Sequence, residues 1–256
     1  MVINYMEKEI KISISKTKYI YGRLRGPLTK PLIIFVHGLT GHMDEHIFYN
    51  GARYFEKHNF SSFRFNLYQN DKDARKLDQC NLKTHVHDLN LVVKYFLEKE
   101  VKKIFVVGHS YGGPTILLSN NENYQAIVLW DPSYNPKRVF TKAKYVKELN
   151  KYILKWSYGF VIGKKMFVEA KKISEKESEQ IIKNVFKPIK IICAGKEKRV
   201  ALAKKYYSAA NQPKDFVVIK NAGHCFNENG TEDELFKQTL SWFKKYVKGK
   251  KVSVTF

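Results

Sequence analysis

Residues 104–114 read IFVVGHSYGGP, and the fold turns on how that stretch is parsed. Ile104–Val107 is a continuous apolar run, as expected of a strand covered on both faces. It runs into Gly108-His109-Ser110-Tyr111-Gly112-Gly113, and Pro114 then leads into the apolar stretch Thr115–Leu118. Strand, sharp turn and helix form the context in which G-x-S-x-G carries meaning; alone, the pattern recurs by chance. So sharp a turn crowds the positions on either side of the serine, and Gly108 and Gly112 leave those positions empty. Pro114 is tolerated in a first helical turn, where its missing N–H is not needed. Ser110 is therefore expected at a helix N-terminus, hydroxyl exposed, beside N–H groups that favour developing negative charge.

The same alternation extends in both directions. Upstream lie the apolar strand Leu32–Val36, a helix near Ile47–His58, a short strand near Ser62–Phe65 and a helix from about Thr84 to Glu98. In that last helix Val86, Leu89, Val93, Phe96 and Leu97 share one face. Two earlier segments, Glu9–Ser15 and Tyr19–Leu24, alternate apolar with polar residues and read as an antiparallel pair. Downstream come the strand Ala126–Trp130, the strand Ile189–Cys193, a helix near Leu202–Ala210, the strand Phe216–Ile219 and a final helix from Glu232 to Tyr246. This predicts an α/β fold with a mostly parallel central sheet and flanking helices. Residues 134–188 break the rhythm and are expected to be a helical lid insertion. The core then comprises residues 1–133 and 189–256.

Two further loops follow strands and carry candidate chemistry. His37-Gly38-Leu39-Thr40-Gly41 comes directly after LIIFV. Acyl transfer through a tetrahedral intermediate needs two N–H donors aimed at the oxyanion. The N–H of Tyr111, next to the serine, and that of Leu39 are the candidates. His37 reads as a residue that holds its loop. Asn221-Ala222-Gly223-His224-Cys225-Phe226 follows the strand FVVI near the C-terminus. Among eight histidines, only His224 combines a loop after a strand with a position beyond the serine, which makes it the candidate general base. His42 and His46 have metal-binding spacing, but no Glu-x-x-His or cysteine cluster supports a metal. No metal or cofactor is expected.

HGLTG, GHSYGG and AGHCF, in this order and each after an expected strand, resemble the α/β-hydrolase fold of serine esterases, lipases and acylpeptidases. The stretch from His37 to Tyr68, with its Glu45–His46 pair and the RFN end of a strand, is similar to the cinnamoyl/feruloyl-esterase-type branch. The resemblance spans roughly residues 10–247 without the insertion. It implies a triad of Ser110, His224 and an acid. The family commonly places that acid shortly after the strand that is here Ile189–Cys193, in a G-x-x-D turn. This chain reads Gly195-Lys196-Glu197-Lys198-Arg199 instead. Glu197 is one candidate. Asp131, which ends the apolar strand AIVLW ahead of a proline, is the other. A carboxylate that orients an imidazole should be sheltered, which favours Asp131.

Charge is the unusual feature of the composition. Forty-six Lys+Arg stand against 24 Asp+Glu, a formal +22 over 256 residues. Only seven of these cations are Arg, whereas bidentate recognition of phosphates and bases favours Arg, so nucleic acid is not the expected partner. Residues 137–176 hold twelve Lys/Arg and three Glu, so a large share of the excess lies in the insertion. That segment is also aromatic, with Phe140, Tyr145, Tyr152, Trp156, Tyr158, Phe160 and Phe167. Either these rings pack the insertion itself, or they wall an apolar pocket under a basic cover that steers anionic esters or lipid surfaces.

Three scattered cysteines make no disulfide framework, and no 18-residue apolar run occurs. A cytoplasmic location is expected. The resulting expectation is a serine hydrolase of carboxylic esters with small or medium acyl groups, acting on small-molecule esters, anionic or lipid-like. A lipase, thioesterase or peptidase of the same fold remains open. So does a non-catalytic protein docking on acidic surfaces.

Overall fold

The computed structural model describes residues 7–155, 159–196 and 200–247. Strands β1 (Lys8–Ser15) and β2 (Lys18–Arg25) form an antiparallel pair in which Ile10, Ile12, Ile20 and Leu24 face inward. β3 (Leu32–Val36), β4 (Ser61–Phe65), β5 (Ile104–His109) and β6 (Tyr124–Trp130) follow. The insertion contains β7 (Lys144–Val146), β8 (Lys151–Leu154) and β9 (Phe160–Ile162), and the core resumes with β10 (Ile189–Ala194) and β11 (Lys214–Ile219).

Eight strands make one sheet, in the order β1-β2-β4-β3-β5-β6-β10-β11. β2 pairs antiparallel with both its neighbours, and every other pairing in the sheet is parallel. The chain runs outward from β3 in both directions, so the strand order reverses beside β3 and β5. A crevice at such a reversal, outside the carboxyl ends of the strands, is where open α/β sheets bind ligands.

Strand periodicity divides the apolar residues between two cores. In β3, Leu32, Ile34 and Val36 face one side, while Ile33 and Phe35 face the other. The second face is covered by α1 (His46–Lys57) together with the C-terminal helix, and the first by α2 (Leu82–Glu98) and α3 (Gly112–Ser119). α2 contributes Leu89, Val92, Val93 and Phe96; α1 contributes Ile47, Phe48, Ala52 and Phe55. The remaining helices are α4 (Pro136–Val139), α5 (Lys164–Lys171), α6 (Glu175–Lys183), α7 (Val200–Ala209) and α8 (Thr231–Val247). α8 lays Leu235, Phe236, Leu240 and Phe243 on the second core, and Thr239 accepts a 2.9 Å hydrogen bond from the buried Trp130 indole.

The insertion differs from the all-helical expectation. Its centre is a three-stranded antiparallel sheet, β7-β8-β9, with short helices on either side. The reason lies in KYVKELNKYIL, residues 144–154, where β-branched and aromatic residues alternate with lysine around Leu149-Asn150. Asn150, at φ +52°, takes the left-handed conformation that closes the turn. Phe140, Tyr152, Phe160 and Phe167 pack in the core of the insertion and do not line the cavity. Tyr152 stacks on Phe167 with ring centroids 3.7 Å apart, and Phe140 meets Tyr111 edge-on at 6.0 Å. Trp156 and Tyr158 lie outside the described residues.

Candidate active site

Ser110 sits at the tip of the turn between β5 and α3 with φ +52°, a backbone conformation that costs an ordinary L-residue energy. Backbone bonds hold it there: its N–H donates to Trp130 O at 3.0 Å, and its carbonyl accepts from Gly113 at 3.1 Å and Ser133 at 2.9 Å. The turn closes because Gly112 has no side chain, since a Cβ there would lie 2.2 Å from the Val36 carbonyl. Gly38 brings the β3 loop against the serine in the same way; a Cβ would meet the Ser110 Cβ at 3.0 Å.

His224 lies on the loop between β11 and α8 and points its Nε2 at Ser110 Oγ, 3.0 Å away. Its Nδ1 is 2.5 Å from Asp131 Oδ2. Asp131 is buried at the end of β6. Its N–H donates to Ile192 O at 2.7 Å, and its Oδ1 accepts from the Ala194 N–H at 3.3 Å. Because β6 and β10 are neighbours, that carboxylate is fixed by the strand where the usual acid of the resembled family would begin its turn. Glu197, the other candidate acid, lies outside the described residues.

His37 has the bonds of a neutral imidazole with its proton on Nδ1. Nδ1 donates to Gly38 O at 2.8 Å, and Nε2 accepts from the Leu67 N–H at 3.0 Å. Burial lowers its pKa to about 4, so it pins the loop without charging. That loop carries Leu39, and no hydrogen bond from the N–H of Leu39 or Tyr111 occurs among the described residues. Both residues line the cavity above Ser110.

That cavity has a volume of about 940 Å³. Its floor is Ser110 and His224; the insertion contributes Tyr134, Asn135, Arg138, Val139, Thr141 and Lys142 to the wall. The insertion thus brings Arg138 and Lys142 to the wall, and of its described aromatics only Tyr134. Glu45 also lines the cavity. Burial raises that carboxyl above the ordinary range, and its Oε2 has no hydrogen-bond partner among the described residues.

Two contacts of the site have no clear signal in the sequence. His109 Nε2 lies 2.9 Å from the His224 carbonyl, tying the serine turn to the histidine loop across 115 residues. Ser133 Oγ lies 3.5 Å from Ser110 Oγ. Only the Asp-Pro-Ser run after a strand could have hinted at the second. His42 and His46 are not brought together on a metal: His42 Nδ1 accepts from the Asp44 N–H, and His46 Nδ1 meets Glu232 at 2.7 Å. Among the described residues, no group of three or more His, Cys, Asp and Glu could hold a metal ion, and no helix is long and apolar enough to cross a membrane.

The family described as alpha/beta hydrolase fold matches residues 31–155. Est1E from Butyrivibrio proteoclasticus, solved with ferulic acid bound, superposes with a TM-score of 0.78 over 93% of this chain and 99% of that one, at 19% identity. The chain has the α/β-hydrolase fold. An esterase domain from Rhodothermus marinus superposes on this α/β-hydrolase-fold chain with a TM-score of 0.73, at 16% identity over 95% of this chain and 100% of the other. A dienelactone hydrolase from Anabaena variabilis gives 0.70, at 16% identity over 94% and 98%. In sequence, a Mycoplasma pneumoniae protein whose name places it among esterases or lipases is 31% identical over 122 residues. That match spans 45% of this chain and 43% of the relative's length.

Two buried histidines lead us to expect a pH dependence of stability. His85, buried between the rings of Tyr68 and Tyr111, is lowered to about 3 by burial, and His37 to about 4. Unfolded, both titrate near 6.5. Their folded values are depressed, so the stability they contribute is complete above about pH 6.5 and is lost as the pH falls toward 4. Each should cost about 1.4 kcal/mol per pH unit in that window. Urea denaturation between pH 7 and 5 should show a falling midpoint, with a shallower slope in His85→Leu. A midpoint unchanged across that range would contradict the neutral, buried assignment.

Proposed function

We propose that this chain is a serine hydrolase cleaving carboxylic esters of small or medium acyl groups through an acyl-enzyme intermediate. The supporting observation is the continuous relay from Asp131 through His224 to Ser110 at the floor of a cavity. In this reading Ser110 Oγ attacks the ester carbonyl carbon and its proton passes to His224 Nε2. The carbonyl oxygen becomes an oxyanion that accepts from the Leu39 and Tyr111 N–H groups. Asp131 keeps the imidazole proton on Nδ1 and stabilises the imidazolium while it lasts. Collapse breaks the ester C–O bond, and His224 returns the proton to the departing alcohol oxygen. A water molecule then repeats the attack on the acyl-enzyme, with His224 as base, and frees the acid and Ser110.

The substrate is a small-molecule ester, anionic or lipid-like, because the insertion puts Arg138 and Lys142 into the cavity wall. The names of Est1E's bound ligand and of the esterase-type relatives agree with ester chemistry but concern those proteins. A panel of p-nitrophenyl esters from acetyl to palmitoyl, with a monoester of a dicarboxylic acid as the anionic member, tests the reading. The expected maximum of kcat/KM lies at short to medium acyl length, with the anionic ester losing more than its neutral analogue in Arg138→Gln/Lys142→Gln. A maximum at palmitoyl would overturn the acyl assignment, and no hydrolysis of any ester would overturn the enzyme.

A further inference from the structure

The small sheet of the insertion has one face turned away from the protein's core, and that face is chemically odd. Register places Lys144 opposite Ile153 and Ile153 opposite Val161, so these three side chains form one row across the three strands. Val146, two residues from Lys144, shares their face. The inner face holds Tyr152, Leu154 and Ile162, which pack into the core of the insertion. Along this face Lys144 and Val161 are exposed while Val146 and Ile153 are half-buried, so β-branched residues stand beside lysine where an ordinary outer face is polar. The β7–β8 turn extends the pattern. Residues 147–150 are exposed at every position, and among them Leu149 is 51% exposed. Val161 is 36% exposed.

We propose that this hairpin face docks the protein on the surface of an anionic lipid bilayer. Leu149, exposed in the β7–β8 turn between Lys147 and Lys151, and Val161, exposed on β9, suit a headgroup layer, where they enter the acyl boundary and the lysine stems reach back to the phosphates. Lys144 and Lys147 are exposed, and neither makes an ion pair among the described residues; Lys151, on the same face, pairs with Asp78. Glu148 is the one acid in the turn. A second copy of this chain would bring the same lysines and meet repulsion, so charge complementarity selects an anionic surface over self-association. The position relative to the cavity fits: Lys142 lines the cavity and Lys144 opens β7, so about 7 Å of chain at most separates the rim from the docking face. Docking therefore holds the cavity mouth close to the bilayer.

Binding does not depend on the proposed hydrolysis, so Ser110→Ala should bind as the native chain does. The experiment is co-sedimentation with phosphatidylglycerol-containing vesicles and with pure phosphatidylcholine vesicles, at low and at high salt. The native protein should partition onto the anionic vesicles only, and less at high salt. Lysines close to such a surface are each worth about fivefold in partitioning, so Lys144→Glu/Lys147→Glu should weaken it at least tenfold. Leu149→Ser/Val161→Ser should also weaken it, whereas the charge reversal Lys83→Glu/Lys237→Glu on the core helices should not. Hydrolysis of a water-soluble ester should be unchanged in the hairpin and core-helix variants. No partitioning of the native chain, or equal losses from the core and hairpin reversals, would overturn the proposal. So would a sedimentation profile showing the native chain already self-associated and the Leu149→Ser/Val161→Ser chain monomeric.

Discussion

Ser110→Ala is expected to lower kcat/KM for a good ester substrate by about a million-fold, the scale at which removing a serine nucleophile leaves only binding and oxyanion stabilisation. The substitution removes one oxygen and leaves the positive-φ turn in place, because alanine and serine face the same backbone constraint there. Thermal stability should therefore change little, which separates lost chemistry from lost folding. His224→Ala should cost a similar factor, and the double variant no more than either single one, because the groups act as one unit. Additive losses would mean that the two side chains act independently, which the 3.0 Å contact between them argues against.

Asp131→Asn is expected to lower kcat by about ten-thousand-fold. An asparagine amide in that position would turn its NH₂ toward His224 Nδ1 and favour the tautomer with the proton on Nε2. That nitrogen could then no longer accept the Ser110 proton. The loss should therefore appear in kcat much more than in KM, and it should shrink at high pH, where Ser110 needs less help in losing its proton. Glu197→Gln should keep near-native turnover. If Asp131→Asn keeps its activity while Glu197→Gln loses orders of magnitude, the acid assignment is wrong.

The candidate site is legible in sequence where a single local requirement dictates residue type. The Ser110 turn needs missing side chains on both sides, and the glycines announce it. The HGLTG loop needs a close approach to that turn, and Gly38 supplies it. His224 needed only a loop after a strand beyond the serine. What was hidden depends on pairing between distant segments. Asp131 could be ranked above Glu197 on shelter alone, but its fixing by Ile192 and Ala194 follows from β6 lying next to β10. The bond from His109 to the His224 carbonyl likewise joins segments that only the folded sheet brings together.

The insertion misled for a different reason. Its lysines interrupt the apolar pattern so evenly that residues 144–154 carry a strand period inside what reads as a charged helical segment. The same interleaving hides which aromatics are inside. Tyr152 and Phe167 stack on each other in the core of the insertion, while Arg138 and Lys142 reach the cavity. The strands of the main sheet, by contrast, are legible to within a few residues of their ends, because continuous apolar runs such as LIIFV and IFVV suit strands covered on both faces.

The central claim is that Ser110 is a nucleophile activated by His224. The most direct measurement is covalent labelling by a fluorophosphonate, read by intact mass and by the labelled peptide. The native chain should gain one phosphonyl group, carried by the peptide containing GHSYGG, with Ser110→Ala unlabelled and His224→Ala labelled far more slowly. Folded native protein that stays unlabelled, or that is labelled equally in Ser110→Ala, would contradict the account.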